Sequence, residues 1–346
     1  MLMSGIGENP DNGPPGFVIV TQINDHMKMF AAFVAIAVAV GQGGSVPVVP
    51  IADYHQHLFS PALVALTSST PPISQATVVT AKDLIAILDT AGIQRAVVLS
   101  TAYIFTQPTR NVENDREKVK ADNDWTASQV ALFPDRLVGF CGVNPLKEYA
   151  LEEILRCLKI PELRRGVKLH FGNSVVDYHN AQHVELLRRV FRAANNARMA
   201  IVVHVRSSTT YRLPYGRDEA RVFLNDILPE APDIPVQIAH LTGAGGYSDP
   251  SIDPALIVFI DAIKQNDARS RRLWFDISGV VTDATTTEQA TLIATRIREL
   301  GVQRILYGTD GFGINSAREG WAAFSKLPLR ADEFRTIANN VPPYMR

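Results

Sequence analysis

From position 49 onward the chain alternates short apolar runs with longer stretches in which apolar residues recur every third or fourth place. The short runs fall at 50–55, 95–100, 137–143, 166–170, 199–204, 236–240, 273–278 and 305–310. Their near-continuous hydrophobicity predicts strands covered on both faces, as in a parallel sheet. The intervening stretches at 83–88, 125–132, 151–158, 184–194, 220–228, 255–263 and 291–300 each put one apolar stripe toward the sheet and a polar face in water. Eight strands, each followed by a helix, predict a single-domain α/β architecture, the (β/α)8 TIM barrel. The connections are unequal in length. Helix-to-strand links such as 91–94, 133–135 and 195–198 are brief, whereas the segments leaving the strands at 58–82, 101–113, 206–217, 241–253 and 311–318 are long. Long loops therefore gather on one rim, where barrels of this kind place their chemistry.

The first 45 residues do not fit that alternation. An apolar run from Phe30 to Val40 follows Lys28, carries Ala35, Ala37 and Ala39 in A-x-A spacing, and gives way to Gly41-Gln42-Gly43-Gly44-Ser45. It is shorter than the ~20 residues a membrane span needs. It has the charge, core and exit of a signal peptide starting at Met27, so residues 1–45 are expected to be an unstructured leader plus signal peptide, and 46–346 the barrel. The mature protein would then be periplasmic or secreted, without a stable membrane anchor; a buried apolar helix is the competing reading, and would leave it cytoplasmic.

Composition narrows the function. Of 346 residues, 46% are hydrophobic and 20% charged, enough to bury a large core. With 34 Lys+Arg against 35 Asp+Glu the net charge is -1, so no global field recruits nucleic acid. The two cysteines, Cys141 and Cys157, are too few for a disulfide scaffold or a thiolate metal site, and Cys141 reads as a small buried apolar residue. Any metal must then be held by His, Asp, Glu or Lys.

Several such residues end the predicted strands, each with a bland reading beside the functional one. In Asp53-Tyr54-His55-Gln56-His57 a period of two puts His55 and His57 on one face, able to reach a common ion. His204 closes the fifth strand and His240 the sixth; either alone is more often a hydrogen-bonded core histidine. Asp310, in Gly308-Thr309-Asp310-Gly311, could simply cap a turn. Together the five converge on one rim. Lys168 and His170 share a face of the fourth strand, and Arg206 follows His204 at the same spacing. Structural ion pairs, hydrogen bonds or solvent would also satisfy these three. Tyr103, Trp125, Tyr211, Tyr215 and Tyr247 are pocket walls or ordinary packing, Asp276 and Ser278 are further pocket candidates, and His179 and His183 are expected to face solvent.

The order D-x-H-x-H, Gly166-Val167-Lys168-Leu169-His170, Val203-His204, Ala239-His240 and Gly308-Thr309-Asp310 resembles the amidohydrolase superfamily. The closest branch is the amidohydrolase-related group with its aminocarboxymuconate-semialdehyde and resorcylate decarboxylases and several lactonases. The resemblance runs from about Ile51 to Arg346, and Ile337-Ala338-Asn339-Asn340 is similar to the family's C-terminal helix. It implies one divalent metal on His55, His57, His204 and Asp310, with His240 and Asp310 catalytic. Nitrogen and oxygen ligands suit zinc first, with manganese the alternative. It also implies a lysine at the position of Lys168, which in some members is carboxylated and bridges two metals; here a cation for a substrate carboxylate or oxyanion is the stronger reading. His170 and Arg206 would bind substrate with it, and a homodimer is implied by resemblance alone.

The main expectation is a metal-dependent hydrolase of a small cyclic ester, amide or related acid, in which the cation lowers the pKa of a bound water and Asp310 takes its proton. The alternative is a non-oxidative decarboxylase of an aromatic or unsaturated carboxylic acid using the same site. A barrel that binds ligands or scaffolds an assembly without turnover is the reading from another class, and a full set of proton-transfer groups argues against it.

Overall fold

In the computed structural model, which describes residues 48–68, 77–311 and 317–346, the eight predicted strands are present. They are β1 (Ala52–Gln56), β2 (Arg95–Leu99), β3 (Leu137–Gly142), β4 (Gly166–His170), β5 (Ala200–His204), β6 (Val236–Ile238), β7 (Leu273–Asp276) and β8 (Ile305–Leu306). All are parallel and pair in sequence order, β1 to β8. The Tyr54 amide donates to Tyr307 C=O and the Asp310 amide to His55 C=O, which brings the end of β8 back to β1. The chain is a single-domain (β/α)8 TIM barrel, and Pro47–Arg346 forms one compact unit. The expected leader and signal peptide lie outside the described residues, as does part of the loops at 58–82 and 311–318. Among the described residues no helix is long and apolar enough to cross a membrane.

Helices pack around the sheet: α1 (Pro61–Ser68), α2 (Ala81–Ala91), α3 (Asp115–Val130), α4 (Ala150–Leu158), a single turn α5 (Phe171–Ser174), α6 (Ala181–Asn196), α7 (Arg217–Val222), α8 (Ile252–Lys264), α9 (Thr287–Leu300), α10 (Ala317–Phe324) and α11 (Ala331–Asn339). Strand side chains alternate between two cores. Val167, Leu169, Ile201 and Val203 face the helices, while Val97, Leu99, Val138, Phe140, Ala200, Val202 and Leu306 fill the barrel with Tyr344 and Met345.

The departures from the sequence pattern have local causes. Helix α3 starts at Asp115, well before 125, because its buried face includes polar Asp122 and Asn123, which break the apolar stripe. The stretch 220–228 is not one helix: α7 gives way to a π turn at Phe223–Ile227, and Pro229 lacks the N–H to continue. Strand β6 ends at Ile238 because His240, Leu241 and Thr242 all take positive φ. Cys141 is not merely a small apolar residue. It faces outward from β3 onto α4, where it forms a disulfide with the equally buried Cys157.

Candidate metal centre

The first strand carries an irregularity that matters for the site. Asp53 is in register with Ala96 but Gln56 with Val98, so β1 has one residue more than β2 over this interval, a bulge that turns the strand end. Tyr54 lies in the interior cluster, and His55 and His57 then both reach the mouth. Across the seam, Asp53 accepts from the His55 amide (3.1 Å), Gln56 Nε2 (2.7 Å) and Thr309 Oγ1 (2.7 Å). Burial pushes the Asp53 carboxyl up to about 6 despite these bonds. This clasp fixes the turn at which Asp310 adopts a φ of 70°. Gly311 completes it; a Cβ there would stand 2.9 Å from the His57 amide nitrogen.

The result is a convergence of like groups. His55 Nδ1 donates to Asp276 Oδ2 (3.0 Å), His57 Nδ1 to Leu99 C=O (2.7 Å) and His240 Nδ1 to Ser278 C=O (2.7 Å). With each Nδ1 so occupied, neutral imidazoles direct their Nε2 lone pairs inward. All three aim at one carboxylate oxygen, Asp310 Oδ1, at 3.2, 3.4 and 4.0 Å respectively. Lone pairs facing an anion repel unless a positive charge sits between them. A second proton on His55 is a poor solution, because burial and the Lys168 ammonium push that imidazole down to about 3, more than Asp276 and Asp310 restore. A divalent cation would resolve the conflict, and the Nδ1 partners would then be the outer bonds that orient histidine ligands. His55, His57 and Asp310 accordingly form a group whose donor atoms all lie within 4.8 Å of one another.

The other candidates occupy distinct positions. Lys168, 1% exposed inside the barrel, sets Nζ 2.9 Å from His55 Nε2; burial lowers its pKa to about 8 although Asp310 and Asp276 oppose this. His204 stands outside the three-residue group, its ring centre 5.3 Å from that of His240. It stacks at 3.9 Å on His170, as the register of β4 on β5 dictates, and its buried Nδ1 has no hydrogen-bond partner. Burial first, then the neighbouring Lys168 and histidines, hold both imidazoles well below their ordinary range. His170 Nδ1 accepts from the Asn173 amide, and Tyr103, buried, lies 5.2 Å from its ring. Arg206 is occupied: it pairs with Asp249 (2.9 Å), donates to Ser207 C=O and lies over the Tyr215 ring.

Other aromatic candidates are packing or surface. Trp125 packs on the outer core, Tyr247 bonds Asp253, and Tyr211 is exposed. His179 is exposed and pairs with Glu219, but His183 is half-buried because its Nδ1 accepts from the Asp177 amide.

Asp276 deserves more weight than its sequence context suggested. Besides His55, it accepts from Gln237 Nε2 at Oδ2, and from the His240 amide and Ser278 at Oδ1, so one carboxylate orients two of the converging histidines. Burial would raise its pKa, yet the imidazoles and Ser278 outweigh it and keep the group ionised. Gln237 went unseen in the sequence, its signal a polar residue inside an otherwise apolar strand, and Asp53 and Thr309 were read as parts of motifs without a role of their own.

The family model described as amidohydrolase matches residues 52–338, most of the chain. The chain belongs to the amidohydrolase family. No significant match exists among curated proteins. Among solved structures, this amidohydrolase is similar to 5-carboxyvanillate decarboxylase from Novosphingobium aromaticivorans, solved with bound manganese (TM-score 0.61, 14% identity, covering 88% of this chain and 98% of that chain). It is also similar to 2,6-dihydroxybenzoate decarboxylase from Rhizobium (0.56, 16%, 84% and 96%). A third is a "probable 2-pyrone-4,6-dicarboxylic acid hydrolase" from Acinetobacter baumannii (0.54, 18%, 84% and 96%). At these identities the likeness establishes the shared fold.

Proposed function

We propose that this amidohydrolase is a metal-dependent, non-oxidative decarboxylase of a small aromatic or unsaturated carboxylic acid. The observation that carries the reading is the buried Lys168 ammonium set beside Asp310 and three imidazoles, which gives a substrate carboxylate a cationic seat inside the barrel. The two decarboxylases above, which share the fold, support it over the hydrolase expected first from the sequence.

His55, His57 and Asp310 would hold the cation, with His204 as the further ligand the family resemblance implies. When bound, the cation supplies Lewis acidity toward the substrate's carboxylate and adjacent oxygen. Manganese, present in one similar structure, and zinc both suit these ligands, and manganese is the first to test. Lys168 balances the substrate's charge. Asp310 carries a solvent-derived proton to the carbon bearing the carboxylate. The electron pair of the C–C bond then takes the place of the one given to that proton, and the balance is RCOO⁻ + H⁺ → RH + CO2. His240, its Nδ1 fixed by Ser278, faces Asp310 and would steady the charge that develops there.

Hydrolysis is the second reading, supported by the same water-activating ligand set and by the pyrone hydrolase likeness. Incubating manganese-loaded protein with hydroxybenzoates and with lactones separates the two. Carbon dioxide with a matched loss of carboxylate is expected; acid release without carbon dioxide would establish the hydrolase instead.

Export is proposed as well, supported by the apolar run at 30–40 and by the Cys141–Cys157 disulfide, a bond typical of oxidising compartments. N-terminal sequencing of protein from an extracytoplasmic fraction tests it, and an intact Met1 would refute it.

A further inference from the structure

Apolar residues from Ala52 to Leu306 line the barrel interior, and through them a column of polar groups runs to the mouth. At its lower end is Tyr344, 5% exposed, edge-on to Phe140. The segment that carries it is pinned: Tyr54 Oη donates to Asn340 C=O (2.5 Å), Arg95 to Met345 C=O (2.8 Å) and Arg165 to Arg346 C=O (3.1 Å). The Tyr344 hydroxyl donates to Gln237 Oε1, and Gln237 Nε2 donates to Tyr54 C=O (3.3 Å) and Asp276 Oδ2 (2.7 Å). That same carboxylate oxygen receives His55 Nδ1–H.

The donors and acceptors leave one consistent arrangement. The amide's facing is set by Asp276 Oδ2 and Tyr54 C=O, which can only accept, so Nε2 turns to them and Oε1 is left for the phenol, whose O–H donates to it and holds the amide in place. With the amide fixed, Asp276 is held with its other lone pairs toward His55 and His240, and His55 is held with Nδ1 protonated and Nε2 toward Asp310. Packing alone would be served by phenylalanine at 344. The hydroxyl has a use only through Gln237.

We propose that Tyr344 is a positioning residue for the metal centre, acting through Gln237 and Asp276 to set the tautomer and aim of His55. The inference rests on the metal-centre reading but not on which reaction the centre performs. Direct outer partners of histidine ligands are worth about 10- to 100-fold in metal affinity, so Tyr344, two hydrogen bonds beyond Asp276, is expected to contribute about three- to tenfold.

The test is manganese and zinc affinity by competition with a chromogenic chelator, with circular dichroism as the check on folding. Tyr344→Phe should weaken binding about three- to tenfold, and Gln237→Met, which keeps the volume but removes all three amide hydrogen bonds, at least as much. The double variant should bind no more weakly than Gln237→Met alone, since the hydroxyl acts through the amide. Affinity within twofold of the unchanged protein in folded Tyr344→Phe would overturn the proposal. Should that variant not fold, unchanged affinity in folded Gln237→Met does the same, as do additive losses in the double variant. An unchanged protein that binds neither ion would refute the metal centre itself, a result distinct from weakened binding in the variants.

Discussion

The β1–β8 side of the mouth and the β4–β5 side hold the same kinds of residue in opposite states. On the first, His55 and His57 are each fixed through Nδ1, and the Asp53 clasp sets the turn that delivers Asp310. On the second, His170 and His204 are stacked on each other, and His204 keeps a buried nitrogen with no hydrogen-bond partner. In one half the histidines are each held through Nδ1; in the other the rings stack and the buried His204 Nδ1 goes unpartnered. The difference teaches that proximity to the mouth does not by itself make a ligand. On the first side a nitrogen committed to Asp276 or to Leu99 C=O sets which way the other one faces; on the second His204 has no such partner.

The largest effect should come from the organised half. Asp310→Asn removes the anion on which three imidazoles converge and the proton carrier, so turnover is expected to fall about 10²- to 10⁴-fold, read as carbon dioxide release from manganese-loaded protein. The comparison itself is sharpest in metal content. His55→Ala should leave no stoichiometric metal by elemental analysis. His204→Ala, which takes away a ligand whose other nitrogen has no partner, should retain measurable metal with affinity lowered about tenfold or more. Equal losses in the two variants would erase the distinction between the halves.

How far the sequence went follows the same divide. The barrel was legible because each strand is buried on both faces and each helix on one, and these periods survive in any sequence that folds this way. His55, His57, His204, His240 and Asp310 were legible as polar residues ending apolar strands. Their bonding was not. Nothing in one sequence shows that a bulge turns β1, that Arg206 is neutralised by an aspartate forty-three positions on, or that Tyr344 reaches Gln237 across a separation of 107. The disulfide escaped for a similar reason: a spacing of 16 residues carries no signature until β3 and α4 are packed together.

A smaller effect should appear in metal-free protein as a function of pH. His170 and His204 have folded pKa values well below the ~6.5 of an unfolded histidine. Below about 6.5 the unfolded chain therefore binds protons that the folded chain refuses, and stability falls as pH falls. Above that value neither state is protonated and these two residues contribute no pH dependence. Thermal melts of metal-free protein should thus show the melting temperature dropping between pH 7 and 5, with a shallower slope in His204→Phe, which keeps a stacked ring on His170 but cannot take a proton. An unaltered slope would mean that the stacked pair is not where those protons are refused.

The smallest effect is expected at Arg206, and it tests whether the β4–β5 side reaches substrate at all. Its guanidinium is already matched by the Asp249 carboxylate and the Tyr215 ring, and the pair is partly open to water, with side chains 12% and 32% exposed. Pairs in such settings contribute little, so Arg206→Ala should leave the melting temperature nearly unchanged. A guanidinium that must first leave Asp249 gains little by turning to a substrate carboxylate, because it exchanges one ion pair for another. The expected result is a KM raised less than about tenfold with kcat unchanged, the signature of binding lost equally from ground and transition states. A fall in kcat of about 100-fold would show instead that Arg206 releases Asp249 when substrate arrives, and that the second half of the mouth becomes organised only then.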